Sequence, residues 1–215
     1  MELDIHPKMK EKLEPLLGEV QGNFAYHPKP VNGLSQLCRF RKRGIPCPDF
    51  TTDVEVAKTW VKAGHEVFGR DKKHEKGLDI VDEHSPTWAN KDFWSKVIPV
   101  AREYRVHIFD DEHIQQGLKV LDPTAQKTRT DGLPIRNTAT GWRYEHSFKP
   151  PNHSVDLAKR AVGELGYLWG AVDILEDASG TCYILEVNTA PGMSDTTARA
   201  YADAIKRHVQ RAHGH

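Results

Sequence analysis

The feature that most constrains this chain is a pair of apolar runs near its C-terminal end, each carrying an acid at its centre. They are Gly170-Ala171-Val172-Asp173-Ile174-Leu175 and Ile184-Leu185-Glu186-Val187-Asn188, separated by a turn at Asp177–Gly180. Both runs read as strands, and the turn between them predicts a hairpin. With Ala178 set opposite Thr181, Asp173 lies opposite Glu186, and directly opposed Cβ atoms stand roughly 4.5–5.5 Å apart. Asn188 follows Glu186 by two and projects from the same face. Like charges set directly opposite destabilise a sheet, and a bare pair raises one pKa or splays apart. A divalent cation removes the conflict. Hard oxygen ligands suit Mg²⁺, which keeps waters and shares its shell with substrate phosphates. The alternative is a surface hairpin with unrelated acids. Ala171, Val172, Ile174, Ile184, Leu185 and Val187 are poor company for that.

The rest of the chain predicts a mixture of helices and antiparallel strands, hence an α+β fold rather than a doubly wound sheet. Pro7, Pro15, Pro28 and Pro30 punctuate residues 1–31, which read as a short helix around Lys8–Leu17 and an irregular lead-in. Leu34, Leu37 and Cys38 recur at helical spacing before the stop at Gly44. Thr52 with Glu55 reads as a capping box for a helix with the stripe Val56, Trp60 and Val61. Strands follow at His65–Arg70 and Leu78–Val81, around a polar loop over 71–77. From Glu103 to Phe109 the residues alternate, with Glu103, Arg105 and His107 on one face and Tyr104, Val106 and Ile108 on the other. A return strand runs over His113–Val120, and residues 121–141 read as a long loop. Trp142–Phe148 reads as a further strand, and Ser154 as the cap of a helix reaching Leu165. Ser194 or Asp195 opens a last helix.

Composition narrows the function classes. Among 215 residues, 30 Lys and Arg balance 30 Asp and Glu, so no global basic field favours nucleic acid. The run Arg39, Arg41, Lys42 and Arg43 reads as a solvated helix face. Cys38, Cys47 and Cys182 form no C-x-x-C pair, which argues against a zinc site or disulfide framework and for reduced, intracellular thiols. No segment approaches the apolar length of a membrane span and no secretory h-region opens the chain, so a soluble cytoplasmic protein is expected.

The stretch Glu186-Val187-Asn188-Thr189-Ala190-Pro191-Gly192-Met193, preceded by Gly170–Leu175, closely resembles the C-terminal motif of ATP-grasp ligases. D-alanine–D-alanine ligases, glutathione synthetases and the glutamate ligases that modify ribosomal proteins share that motif. The resemblance implies two α+β lobes with ATP held between antiparallel sheets. It also implies Mg²⁺ or Mn²⁺ on Asp173, Glu186 and Asn188, bridging the ATP phosphates. The family order of elements runs from about Asn32 to the last helix. On it, residues 1–31 form a short lead-in where the family has a substrate domain. Residues 32–92 form the small lobe with its phosphate lid, and residues 93–215 form the large lobe with the metal site. The compact form is also similar to small ATP-grasp proteins of tailed-phage genomes.

Further matches carry further roles. Gly44-Ile45-Pro46-Cys47-Pro48 matches the family's Gly-Ile-Pro-x-Pro, and Arg70 stands where a lid Lys is usual. The loop from Asp71 to Gly77 has a single glycine, so Lys72 or Lys76 is expected to supply side-chain charge to phosphate. Trp94–Pro99 matches the interlobe strand whose backbone reads adenine. Glu103-Tyr104-Arg105-Val106-His107 resembles the acid-x-Arg strand, in which the Arg neutralises the transferring phosphoryl group. Lys119, Arg136 and Asn137 match basic positions of the ribosomal-protein-modifying type, placed to hold an acyl phosphate or a substrate carboxylate. D-alanine ligases carry an Arg two residues before the metal-binding Asp. Ala171 stands there, which argues against a simple D-alanine ligase and leaves Arg136 as the candidate oxyanion donor.

The resemblance implies a carboxylate–amine ligase. The carboxylate takes the γ-phosphoryl group, and an amine then displaces phosphate from the acyl phosphate. Both substrates are expected to be small molecules or peptides, with a second copy or a partner completing the substrate site. No nucleic acid or membrane partner is expected, a nucleic-acid-binding reading having only the Arg39–Arg43 cluster behind it. Two other readings stay open at this point: an ATP-grasp kinase, and a non-catalytic nucleotide-binding module.

Overall fold

The computed structural model describes residues 2–18, 23–72, 78–82, 85, 88, 90–122, 136 and 141–213. Its first unit is β1 (Glu2–Ile5), α1 (Pro7–Leu17) and β2 (Asn23–Tyr26), with β1 and β2 paired in parallel from Glu2↔Asn23 to Ile5↔Tyr26. Leu3 and Ile5 alternate inward along β1, while Met9, Leu13 and Leu17 form the buried stripe of α1. The expected irregular lead-in is thus a strand–helix–strand unit. Each strand is only four residues long, and its pairing depends on the crossover helix rather than on a local pattern. Next, α2 (Gly33–Lys42) is capped by Asn32, whose Oδ1 accepts the Ser35 N–H at 2.9 Å. Arg39, Arg41, Lys42 and Arg43 are exposed, as expected of a solvated face.

A four-stranded antiparallel sheet follows, ordered β3-β6-β4-β5. It comprises β3 (Phe50–Thr51), β4 (Val67–Arg70), β5 (Leu78–Val81) and β6 (Phe93–Lys96). The helix α3 (Val54–Lys62) packs on it through Ala57, with Val54, Trp60 and Val61 at the margin of the cluster. Two details depart from expectation. Asp53, not Thr52, caps α3, because its Oδ1 reaches the Glu55 N–H at 2.8 Å. Val56 is 40% exposed, since the buried position is its neighbour Ala57.

The second sheet has five strands in the order β11-β10-β7-β8-β9. They are β7 (Arg102–Phe109), β8 (Glu112–Leu121), β9 (Trp142–Glu145), β10 (Trp169–Glu176) and β11 (Cys182–Asn188). Between β9 and β10 runs α4 (Asn152–Glu164), and α5 (Asp195–His213) follows β11. Leu157, Ala158, Ala161 and Val162 of α4, with Leu37 and Phe40 of α2, cover Tyr104, Val106, Ile108, Val172, Ile174 and Ile184 on one face. On part of the other face α5 lays Ala198, Tyr201, Ala202, Ile205 and Val209 over Phe109 and Trp169, with the first unit packed alongside. Each fully buried side chain of this size contributes roughly 1.5–3 kcal/mol of transfer free energy. Among the described residues, α5 leaves the stretch of that face around Glu103 and Arg105 uncovered. Ser154 does not cap α4. The helix starts at Asn152, and the Ser154 hydroxyl donates to Pro151 O at 2.7 Å.

The hairpin register differs from the expected one at its turn and agrees with it at the acids. Asp177, not Ala178, pairs with Thr181, and Gly180 takes the left-handed conformation at φ +84° that a three-residue loop requires. Pairing therefore runs Glu176↔Cys182, Leu175↔Tyr183 and Ile174↔Ile184. A bulge then leaves Leu185 without an opposite, and the ladder resumes at Asp173↔Glu186. The two one-residue offsets cancel, so the acids face each other as the sequence predicts.

Candidate active site

The register draws one row across the large sheet. Glu186 of β11 lies opposite Asp173 of β10, Asp173 opposite Arg105 of β7, and Arg105 opposite Gly117 of β8. Arg105 grips Asp173 in a bidentate pair, Nε to Oδ1 at 2.7 Å and Nη2 to Oδ2 at 2.8 Å. The Asp173 residue is only 5% exposed. Burial would raise its pKa, but the adjacent guanidinium outweighs that and holds the carboxyl below the usual range. Burial likewise disfavours the Arg105 charge, and Asp173 overrides it, so the guanidinium is held more firmly charged than usual.

Glu186 behaves in the opposite way. Crowding by protein atoms, then the like charge of Asp173, pushes its pKa up to about 7. Its side chain is nonetheless open to solvent, which tempers the rise without reversing it. Arg70 reaches Glu186 electrostatically from the small sheet, and its Nε donates to Ser95 Oγ at 3.1 Å. Burial lowers the pKa of Arg70, and Glu186 works against that. The charges of two guanidiniums, Arg105 and then Arg70, thus act on Glu186, while Arg105 is the one bonded to Asp173.

Around the row, Glu103 and Lys119 form a buried ion pair, and Lys119 also donates to the Arg136 carbonyl at 3.0 Å. Burial raises the Glu103 pKa, and Lys119 opposes the rise. Arg136 lies with its guanidinium 4.7 Å from the Trp142 ring centroid. Lys72 lies beside Asp92 beyond the end of β4, its backbone N–H donating to Asp92 Oδ2 at 2.7 Å. Asn188, opposite Ala171, turns its Oδ1 to the Ala190 N–H at 2.9 Å. Lys76 and Asn137 lie outside the described residues. The structure therefore gathers Arg70, Glu103, Arg105, Lys119, Asp173, Glu186 and Asn188 at one site, with Arg136 at its edge and Lys72 beyond it.

Sequence reasoning misses several neighbours. The Tyr144 ring packs 5.1 Å from the Arg105 guanidinium, and a Cβ on Gly117 would meet Tyr144 Cβ at 2.9 Å. Alternation along β9 carries the signal for Tyr144 once its register against β8 is known, with Lys119↔Tyr144. His107 is buried under α5, its Nδ1 3.1 Å from Tyr201 Oη. Burial, then Arg105, lowers its pKa to about 3 and keeps it neutral. Gln36 reaches from α2 to the backbone of Val187, between the two motif residues Glu186 and Asn188.

Among the described residues no group of three His, Cys, Asp or Glu side chains could by itself hold a metal ion. Two opposed carboxylates and an amide oxygen do fit a cation that draws the rest of its shell from water and phosphate, as Mg²⁺ does at nucleotide sites. No helix among the described residues is long and apolar enough to cross a membrane.

Comparison with known proteins bears on the fold. No family model matches the chain. A D-alanine–D-alanine ligase of Burkholderia multivorans is 58% identical over 40 residues, 18% of this chain and 13% of that protein. The D-alanine–D-alanine ligase of Burkholderia cenocepacia is 55% identical over 101 residues, 46% of this chain and 25% of that protein. The matches thus span a quarter or less of these relatives. Among solved structures, the ATP-grasp ligase PsnB complexed with minimal precursor, Mg and ADP superposes with a TM-score of 0.65 at 16% identity. That match covers 83% of this chain and 59% of PsnB. The D-alanine–D-alanine ligase of Bacillus anthracis gives 0.62 at 15% identity, covering 84% and 67%. The macrocyclase MdnC of Microcystis aeruginosa, bound with precursor peptide MdnA, gives 0.58 at 14%, covering 94% and 70%. The chain has the ATP-grasp fold.

Proposed function

We propose that this chain is an ATP-dependent carboxylate–amine ligase acting through an acyl phosphate. The observation that supports it most is the cross-sheet row. Asp173 and Glu186 stand directly opposed, with Arg105 beside them and Arg70 facing them from the other sheet. Asp173, Glu186 and Asn188 would hold Mg²⁺. When bound, that cation supplies Lewis-acid charge against the nucleotide's phosphate oxygens. Residues 32–92 would carry the nucleotide lobe and residues 93–215 the metal-binding lobe, with α2 packed back on the large sheet and residues 1–31 forming the lead-in.

In this reading, Arg70 and Arg105 draw the phosphates in, and Arg105 stabilises charge on the phosphoryl group as it transfers. A carboxylate oxygen of one substrate attacks the γ-phosphorus, the bond to ADP breaks, and an acyl phosphate forms. The amine of the second substrate then attacks the acyl carbon, phosphate leaves, and the amine's proton passes to solvent. Lys119, already shared with Glu103 and the Arg136 carbonyl, tethers the strand end where the acyl group would lie, with Arg136 and Asn137 as candidate contacts to its oxygens. Lys72 and Lys76 would add charge around the phosphates. The substrates are a carboxylate and an amine, either small molecules or peptides, and a partner or second copy would complete their pocket.

The test supplies MgATP, a panel of amino acids and peptides, and hydroxylamine to intercept an acyl phosphate. ADP release with hydroxamate supports the ligase. ADP release without hydroxamate, with phosphate transferred to a hydroxyl, replaces it with a kinase. No ADP release and no calorimetric binding of MgADP overturns the nucleotide reading altogether.

A further inference from the structure

Asp173 carries two assignments that compete. A metal would draw on the same carboxylate charge that Arg105 already neutralises, for Arg105 donates to both Asp173 oxygens, at 2.7 and 2.8 Å, in a pair that is almost wholly buried. Glu186 in turn faces the charge of Arg70. Two acids and two guanidiniums cancel, so a lone dication approaching this row meets no net attracting field and must displace or crowd a guanidinium. The nucleotide removes that obstacle, because its phosphates offer a guanidinium an equally good bidentate partner of greater charge.

We infer that Arg105 is the built-in counter-cation of this site. It holds Asp173 until phosphate arrives, and so makes entry of the divalent cation conditional on the nucleotide. The inference rests on the ligase reading, in that Asp173 holds the metal and the phosphates are Arg105's second partner. The surroundings of Arg105 suit such a transfer. The Tyr144 ring lies 5.1 Å from its guanidinium, and it can pack there because Gly117 has no Cβ, which would stand 2.9 Å from Tyr144 Cβ. An aromatic face beside the guanidinium supports the charge wherever it swings, without fixing it to one acceptor. Because the coupling is between two binding equilibria, it is reciprocal: the cation tightens nucleotide binding by the same factor as the nucleotide tightens the cation.

Mn²⁺ titrations followed by paramagnetic resonance test this directly, with and without ADP. Wild type should bind Mn²⁺ alone weakly and at least about tenfold more tightly with ADP, a change of roughly 1.4 kcal/mol or more. Arg105→Met should bind Mn²⁺ alone about tenfold more tightly than wild type and gain less from ADP. Arg70→Met removes the same charge but leaves Asp173 held, so its affinity for Mn²⁺ alone should change less than about threefold. Adding Asp173→Asn to Arg105→Met should erase the gain. An Arg105→Met protein that binds Mn²⁺ alone no better than wild type overturns the inference, and so does Arg70→Met matching its gain. Should Arg105→Met fail to fold, Arg105→Lys keeps the charge but cannot span both oxygens. It should show an intermediate gain, and none would also overturn the inference. Failure of the nucleotide-site reading on which this rests looks different: Mn²⁺ with ADP would then give the same signal with wild type as without protein.

Discussion

The carboxamide of Gln36 stands in for a strand beside Val187. Its Oε1 accepts the Val187 N–H at 2.8 Å, and its Nε2 donates to the Val187 carbonyl at 3.2 Å. Because β11 is an edge of the large sheet, those backbone groups have no ladder partner on that side. One side chain from α2 supplies both, and the Pro46 carbonyl accepts the Ile184 N–H at 2.8 Å farther along. Helix α2 and the segment after it thus set the height of the strand that carries Glu186 and Asn188.

Replacing Gln36 with Leu should strand two buried backbone groups at once. Each unsatisfied group costs roughly 1–3 kcal/mol, so the variant should lose about 2–6 kcal/mol in denaturant unfolding. Native-state hydrogen exchange at the Val187 amide should quicken more than at Val172, which lies opposite it within the sheet. Equal changes at both amides would mean that Gln36 serves general packing rather than the edge.

Glu186→Gln should separate function from stability. Glu186 is pushed up to about 7 by crowding and by Asp173, so its ionised form opposes folding. An acid raised in the folded state weakens stability above its unfolded pKa, and the amide removes that penalty. The variant should be as stable as wild type or more so above neutral pH, yet lose ATP turnover. A less stable variant with normal turnover would show that the carboxylate is structural.

Gly117→Ala places a methyl group 2.9 Å from Tyr144 Cβ, closer than such atoms approach. Both positions lie on paired strands, so the strain has to move Tyr144 off Arg105 or spread β8 from β9. A cost of roughly 1–3 kcal/mol is expected, with weaker nucleotide binding. A Gly117→Ala protein with unchanged stability and affinity would refute the close packing of this corner.

His107 predicts a pH dependence of stability. Burial, then Arg105, lowers its folded pKa to about 3, while an unfolded His titrates near 6.5. The unfolded state therefore binds a proton that the native state refuses, and stability falls as pH drops from about 6.5 toward 3. Between roughly pH 6.5 and 5 this single group accounts for about 2 kcal/mol at 1.36 kcal/mol per pH unit. His107→Gln, which can still reach Tyr201 Oη, should remove that part of the slope. An unaltered acid-unfolding profile would show that His107 is protonated in the native state.

What could be read from the chain alone was whatever depends on strand periodicity. Alternation over Glu103–Phe109 separates Arg105 and His107 from Tyr104, Val106 and Ile108, and the structure keeps that division. Apolar runs around Asp173 and Glu186 fix them as opposed acids on a hairpin, even though the turn and the bulge at Leu185 each depart from the ideal pairing. The order of elements and the α+β class follow from the same local patterns. Tertiary structure alone decided which partner each side chain took. Arg105 grips Asp173 because β7, more than sixty residues earlier, pairs with β10. Gln36 zips onto Val187, β1 pairs in parallel with β2, and Arg70 faces Glu186 from the other sheet, all across chain separations that carry no periodic signal. Local sequence sets backbone conformation through short-range sterics and side-chain spacing. Long-range pairing is selected by the burial and charge of the assembled molecule, and these exist only once the sheets have packed.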